Sequence, residues 1–393
     1  MTKVALIVHA FPSLEHPYIL DWAKGLAASG IDLIIYAEQA GEGGAASRSG
    51  PEAGFWSRVK YLNSLGDPAN SLRRNFSASL KNIFQIPRAW KILSQSHPGR
   101  FLSVLRKLYE YLPLLGERFD VLHLNAPQIA VRRFELGELL AAKTLVSFRG
   151  QDFSFHRERY DALLRDADHL HFISNHLVEL AKERGYAGHK HTLIPPMVDL
   201  EFYHPTMRKA ATDATVLFSA ARFSWTKGWE FALQAVAILL KRGWNIQYVV
   251  AGDGEMKDAI LYTIHELNLD DRVQLCGWLS PEDLKLKMQA ADLYLLASVE
   301  EAFNNSILQA QACGLPVVCS DAGGLPENIV DGETGLLFKR RDAWDMADKI
   351  EALLSNPELC AQMSRSARER VEKNFSTQAG VQKFVSLYCL LTG

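Results

Sequence analysis

The residues best placed to do chemistry lie between Ser298 and Gly314, in SVEEAFNNSILQAQACG. Leu293 to Leu296 reads as an apolar strand, and Ile307, Leu308, Ala310, Gln311 and Cys313 read as one helix. The polar loop between them holds Glu300, Glu301, Asn304 and Asn305. A parallel strand that ends where a helix begins is a ligand site in open α/β sheets. Its free backbone N–H groups, with the helix dipole, favour phosphate. The plainer reading is an ordinary turn with a solvated carboxylate pair.

A second group sits in RFSWTKG, after an apolar strand from Val216 to Ala220. Arg222 and Lys227 share this loop at a strand end, the Arg a planar fork and the Lys a point charge. Two solvated loop cations are the plainer alternative. Weaker candidates lie earlier. Arg149-Gly150-Gln151-Asp152 follows the strand from Lys143 to Phe148, and Glu15 lies in the loop after the first strand. Arg149 cannot act as a base at neutral pH; it can bind phosphate or an acidic sugar, or pair with Asp152. Glu15 can equally cap a helix. His123 reads as a satisfied buried histidine, and His156 and His171 carry no signal beyond that.

Several classes are disfavoured. The five cysteines, Cys276, Cys313, Cys319, Cys360 and Cys389, form no C-x-x-C pair and read as free thiols in a reducing compartment. No acidic pair or His cluster suggests a metal. Gly252-Asp253-Gly254 is too short for a dinucleotide fingerprint, which argues against a nicotinamide dehydrogenase. No run has the roughly 18 apolar residues of a spanning helix, so any membrane contact would be peripheral, and MTKVALIVHAFPS reads as a first strand, not a signal peptide.

The elements that must position these residues follow a strand–helix alternation. At 393 residues, 48% hydrophobic and 22% charged, the chain suits a globular protein of two domains. Val4 to Val8, Ile31 to Tyr36, Val121 to Leu124, Lys143 to Phe148, His169 to Ile173 and His191 to Ile194 read as strands of the first. Glu38 to Gly54 reads as a loop. The prolines of PPMVDLEFYHP mark a linker, so this domain spans 1–205. Val216 to Ala220, Ile246 to Ala251, Val273 to Cys276, Leu293 to Leu296 and Pro316 to Cys319 repeat the scheme over 206–375. DGETGLLF, Asp331 to Phe338, reads as a hairpin, and a last helix, capped by Ser376, fills 376–393. Two such domains imply a cleft.

Phe55 to Arg118 interrupts the alternation. It holds eleven Lys or Arg against three acids, although the whole chain has a net charge of −2. Nine aromatics interleave, and Phe101, Leu102, Leu105, Leu108, Tyr109 and Leu112 fall at helical spacing. A basic amphipathic helical insertion follows, suited either to a solvated face or to anionic lipid or a lipid-linked phosphate. No nucleic-acid motif accompanies the charge.

The second domain resembles glycosyltransferase family 4, carried by ARFSWTKG, AGDGE, the run from Val273 to Ile329, and DGETGLLF. HLNAP, FRGQD, FISNH and IPPMVDLEFYHP echo the family more loosely, and FPSLEHPYI resembles members acting in exopolysaccharide or lipopolysaccharide assembly. The resemblance implies the GT-B fold: α/β, two Rossmann-like domains facing across a cleft, an acceptor-side domain first, a nucleotide-sugar donor domain second, and a C-terminal helix crossing back. It implies a retaining glycosyltransferase that moves a sugar from a nucleotide diphosphate sugar to a saccharide or lipid-linked acceptor. No metal or cofactor is implied beyond that co-substrate, and the location would be cytoplasmic, peripheral on the inner leaflet. By resemblance Arg222 and Lys227 meet the diphosphate and Glu301 the sugar hydroxyls, with Gly228, Gly252, Ala302, Phe303, Asn304, Asn305 and Gln309 beside the donor. Glu15, Arg149 and Asp152 are acceptor-side. Glu327 matches a frequent family acid that a helix-dipole role also explains. Gln309 stands where the family has a second Glu, Asn304 where glycine is common, and Arg149 where many relatives have His. Those departures leave open a catalytically silent nucleotide-sugar-binding subunit; a sugar-nucleotide epimerase or phosphorylase is the other reading within the fold.

Overall fold

The computed structural model describes residues 1–12, 18–41, 53–63, 80, 82–150, 152–153, 160–206 and 214–393. Glu15, Gln151, His156, Arg73, Arg74, Lys81 and most of the Gly-rich loop after Glu38 lie outside them. The described chain divides into two compact units. Unit one is Met1–Ile173, Val178–Ile194 and Gly380–Gly393; unit two is Ser174–Leu177 and Pro195–Ala379.

Unit one carries a seven-stranded sheet of β1 (Lys3–Phe11), β2 (Asp32–Ala40), β3 (Val59–Tyr61), β4 (Val121–Leu124), β5 (Lys143–Phe148), β6 (His169–Phe172) and β7 (His191–Leu193). Their order is β3-β2-β1-β4-β5-β6-β7, with every pairing parallel. Val4 to Val8 is a continuous apolar run because β1 is central and covered on both faces; all five are fully buried. The order reverses between β1 and β4.

The stretch expected to be wholly helical contains β3, which extends the sheet with Val59 opposite Ile35. Three alternating residues are too short a run to outweigh the basic composition around them in a sequence reading. Beyond it lie a short 3-10 turn, Ile83–Gln85, and helices Ile86–Ser96 and Phe101–Tyr111. The second helix buries Val104, Leu108 and Tyr111, while Phe101, Leu102 and Leu105 remain exposed. A buried ion network ties it down. Arg133 bridges Glu38 and Glu110, Lys107 pairs with Glu135, and the Tyr111 hydroxyl donates to Glu135 at 2.8 Å.

Unit two has a six-stranded sheet of β8 (Thr215–Ala220), β9 (Ile246–Ala251), β10 (Val273–Leu275), β11 (Leu293–Leu296), β12 (Val317–Ser320) and β13 (Leu336–Phe338). The order is β10-β9-β8-β11-β12-β13, again all parallel. Helices such as Trp229–Lys241, whose Ala232, Leu233, Val236 and Leu239 are buried, make the crossovers parallel strands require. The stretch read as a hairpin is a tight turn, closed by Gly332 N–H to the Gly335 carbonyl, followed by β13. The turn signal was sound, but Leu336–Phe338 lies parallel to β12 instead of folding back. Unit two begins near Pro195, earlier than the prolines suggested, because the Val198 main chain bonds to Phe375 and Thr377. The last helix, Thr377–Thr392, starts where Ser376 accepts the Ala379 N–H and enters unit one at Gly380.

Candidate active site

In unit two the strand order reverses between β8 and β11, and the loops after those strands are RFSWTKG and SVEEAFNN. Open parallel sheets bind ligands at that crevice, outside the carboxyl ends of the strands. Three glycine contacts press the neighbouring loops together. At Gly228, with φ +61°, a Cβ would stand 2.1 Å from the Ala297 carbonyl oxygen. At Gly252, with φ +143°, it would stand 2.0 Å from that of Ala221. At Gly324 it would stand 1.9 Å from that of Ala302. These glycines are close-approach positions as well as turns.

The cation loop forms a 3-10 turn, Trp225–Lys227, ended by Gly228 in the left-handed conformation. The Thr226 carbonyl accepts the Val299 N–H at 2.8 Å, which fastens the loop to the end of β11. Lys227 therefore emerges beside Glu301, and the two form an ion pair. Their side chains are only 14% and 11% exposed, so this is a largely buried pair. Breaking such a pair from one side typically costs about 3–5 kcal/mol. Arg222 lies in the same loop with its side chain exposed, and its carbonyl accepts the Trp229 indole N–H at 3.2 Å.

Glu301 takes hydrogen bonds on one oxygen. Oε2 receives Lys227, Ser298 Oγ at 3.3 Å and Asn304 Nδ2 at 3.3 Å. Among the described residues Oε1 has no such partner. Asn304 caps the helix Asn305–Ala312, its Oδ1 accepting the Ile307 N–H at 3.1 Å and the Ser306 hydroxyl at 2.7 Å. Its own N–H goes to Asn328 Oδ1, so the first-turn N–H groups without a capping partner are those of Asn305 and Ser306. Gln309 is half-buried one turn along from Asn305, on the same helix face. Ala302 and Phe303 are buried, the Phe303 ring lying 5.8 Å from that of Phe375. Glu300 is raised above the ordinary carboxylate range by burial and by the Glu301 charge. Glu327 accepts the N–H groups of Asn175 and His176, each at 2.8 Å, at the start of a helix. Ser298, Ser306 and Asn328 were missed in the sequence; none carries a motif signal, and each matters only through the contact it makes.

The acceptor-side candidates belong to unit one. Asp152 accepts the N–H groups of Arg149 (2.8 Å) and Gly150 (3.1 Å) and Gln128 Nε2 (2.9 Å), so it fastens the loop after β5. Burial raises its carboxyl, against the pull of those donors. The Arg149 guanidinium stands 5.4 Å from the centre of the Trp22 ring. Beneath it runs a buried chain with one direction. His171 Nε2 can only donate to the Ile194 carbonyl (2.8 Å), so its Nδ1 accepts from Ser147 (2.7 Å). Ser147 then accepts from His123 Nε2 (2.6 Å), and His123 Nδ1 accepts the Tyr388 hydroxyl (2.8 Å). Burial, then the Arg149 charge, lowers both histidines, His171 to about 3. They are neutral structural groups, as their apolar sequence setting suggested. Among the described residues no group of three His, Cys, Asp or Glu side chains could hold a metal.

Two doubly wound parallel-sheet units, one with a cation–carboxylate pair at its switch point, have the make-up of the GT-B fold. Two family models match: the Glycosyl transferase 4-like domain over residues 16–197 and Glycosyl transferases group 1 over residues 205–370. The chain belongs to the group 1 glycosyltransferases. It is similar to the colanic acid biosynthesis glycosyltransferase WcaL of Escherichia coli, 25% identical over 98% of this chain and 99% of the relative. It is 34% identical to the D-inositol 3-phosphate glycosyltransferase of Saccharomonospora viridis, over 50% of this chain and 49% of that one. Its fold matches Anabaena HepE, solved with UDP, at a TM-score of 0.73 and 16% identity, covering 99% of this chain and 100% of HepE. A sucrose-phosphate synthase from Thermosynechococcus elongatus matches at 0.76 and 20% identity, covering 100% and 99%.

Proposed function

We propose that this glycosyltransferase moves a sugar, with retention, from a nucleoside diphosphate sugar to a saccharide or lipid-linked acceptor in cell-surface polysaccharide assembly. The carrying observation is the Lys227–Glu301 pair at the β8–β11 switch point. When the sugar leaves, charge grows on the diphosphate. Lys227, Arg222 and the N–H groups of Asn305 and Ser306 meet that charge, and they stabilise the transition state more than the ground state. Glu301 Oε1 accepts a sugar hydroxyl. Gln309 holds the ribose through its carbonyl oxygen, without charge assistance. The leaving phosphate takes the acceptor proton on the same face, so no protein nucleophile is needed. HepE, crystallised with UDP-glucose, and WcaL, named for an exopolysaccharide, support the donor and product classes.

The exposed apolar side chains Phe84, Phe101, Leu102 and Leu105 stand among the exposed cations Arg88, Lys91, Arg100 and Arg106. That combination supports peripheral docking on an anionic membrane at the cytoplasmic leaflet. Among the described residues no helix is long and apolar enough to cross one.

A thermal-shift panel of UDP-, GDP-, ADP- and TDP-sugars tests the donor reading. One base should stabilise the wild type, by about 2.7 kcal/mol at a hundredfold excess over Kd. Stabilisation by none would overturn it.

A further inference from the structure

We propose that Asn328 is a positioning residue for the donor sugar, acting through Asn304 on the Glu301 carboxylate. The inference rests on the nucleotide-sugar reading above. Asn328 closes the short helix Leu325–Asn328 after β12 and has no solvent exposure. Its carboxamide grips one residue on both sides: Oδ1 accepts the Asn304 N–H at 3.0 Å, and Nδ2 donates to the Asn304 carbonyl at 2.9 Å. A buried carboxamide costs free energy unless both ends are satisfied, and a leucine would fill similar space without that demand. What the asparagine adds is a fixed position for the Asn304 peptide.

That position reaches Glu301 by two routes. The Asn304 side chain, held by Ile307 N–H and the Ser306 hydroxyl, donates to Glu301 Oε2. The segment that carries Asn328 also supplies Gly324 N–H to the Glu301 carbonyl at 2.8 Å. With Lys227 and Ser298 on the same Oε2, the carboxylate has one orientation, and Oε1 is the oxygen presented. Lys227 faces the diphosphate whether or not a sugar is attached. Asn328 therefore bears on the sugar through Glu301 more than on the diphosphate, which it reaches only through the Asn305 N–H of the peptide it grips.

The test compares affinities by isothermal titration calorimetry for UDP and UDP-glucose, GDP and GDP-mannose, and ADP and ADP-glucose. The pair that binds wild type best is then used on variants. In Asn328→Leu the nucleotide-sugar Kd should rise about tenfold more than the diphosphate Kd, with kcat reduced, since misplacing a recognition group by about 1 Å can cost about 100-fold. A merely structural Asn328 would lower the melting temperature and shift both affinities together, or neither, and that result overturns the proposal. Should Asn328→Leu not fold, Asn304→Gly removes the bond to Glu301 and should show the same split; an unchanged ratio there is equally fatal. Wild-type protein that binds none of the three pairs, nor TDP and TDP-glucose, overturns the nucleotide-sugar reading itself, and this inference with it.

Discussion

Acidification should weaken unit one through its two buried histidines. An imidazole held near pKa 3 in the folded chain, as His171 is, recovers its ordinary value of 6.5 on unfolding. Its folded value is depressed, so the stabilisation is complete above pH 6.5 and is lost as pH falls toward 3. In that window the unfolded chain binds a proton that the folded chain refuses. Between pH 7.5 and 5 the loss from His171 alone is about 2 kcal/mol, at about 1.4 kcal/mol per pKa unit. His123 is lowered for the same reasons and adds in the same direction. Asp152 and Arg149 lie nearby, but their contribution is common to wild type and a His171 variant and cancels in the comparison. Hydrogen-exchange protection of peptides from β5 and β6, corrected for intrinsic rates, gives the local opening free energy at each pH. His171→Gln keeps an acceptor and a donor without a titrating ring, so its protection should lose about 2 kcal/mol less than wild type over this interval. Equal pH slopes in the two proteins, or an NMR titration placing the His171 ring near 6.5, would refute the reasoning.

Gly228→Ala puts a methyl group against the Ala297 carbonyl in a left-handed backbone. It should cost about 2–4 kcal/mol in stability and lower kcat/KM about 100-fold by displacing Lys227; kinetics within twofold of wild type would mean that the close approach does not place the cation. Replacing Phe84, Phe101 and Leu102 with serine, or Arg88, Lys91, Arg100 and Arg106 with glutamine, should abolish salt-sensitive flotation with phosphatidylglycerol vesicles while leaving nucleotide affinity unchanged. Flotation as strong as wild type would remove the membrane face. Alkylation at pH 8 followed by mass spectrometry should modify exposed Cys389 well before Cys313, whose thiol burial pushes up to about 12, or Cys319, which is fully buried; early labelling of Cys313 or Cys319 would contradict the packing around β12.

Much of this was legible in the residues. Apolar runs as short as Val4–Val8 and Leu293–Leu296 read as central strands, and their alternation with helices points to a parallel sheet. RFSWTKG and EEAFNN sit at strand ends, so the convergence of Lys227 and Glu301 follows once β8 and β11 are neighbours. What stayed hidden depends on contacts between distant segments. Asn328 looks like any polar loop residue until it meets Asn304. Gly323-Gly324 reads as a turn until the Glu301 and Ala302 carbonyls are found against it. The Val59–Tyr61 strand is too short to announce itself within a basic stretch. Asn304 stands at the head of the helix in the sequence, and only the fold shows its polar groups bonded to Glu301, Ser306, Ile307 and Asn328.

The central claim is that Lys227 reads the diphosphate and Glu301 the sugar at one switch point. Calorimetry on wild type, Lys227→Met and Glu301→Gln, with the best-binding nucleoside diphosphate and its sugar conjugate, tests it most directly. Lys227→Met should lose both ligands, by about 2–3 kcal/mol for a charge-assisted contact, while Glu301→Gln should keep the diphosphate and lose only the preference for the sugar conjugate. Retention of diphosphate affinity in Lys227→Met, or an unchanged sugar preference in Glu301→Gln, would contradict the account.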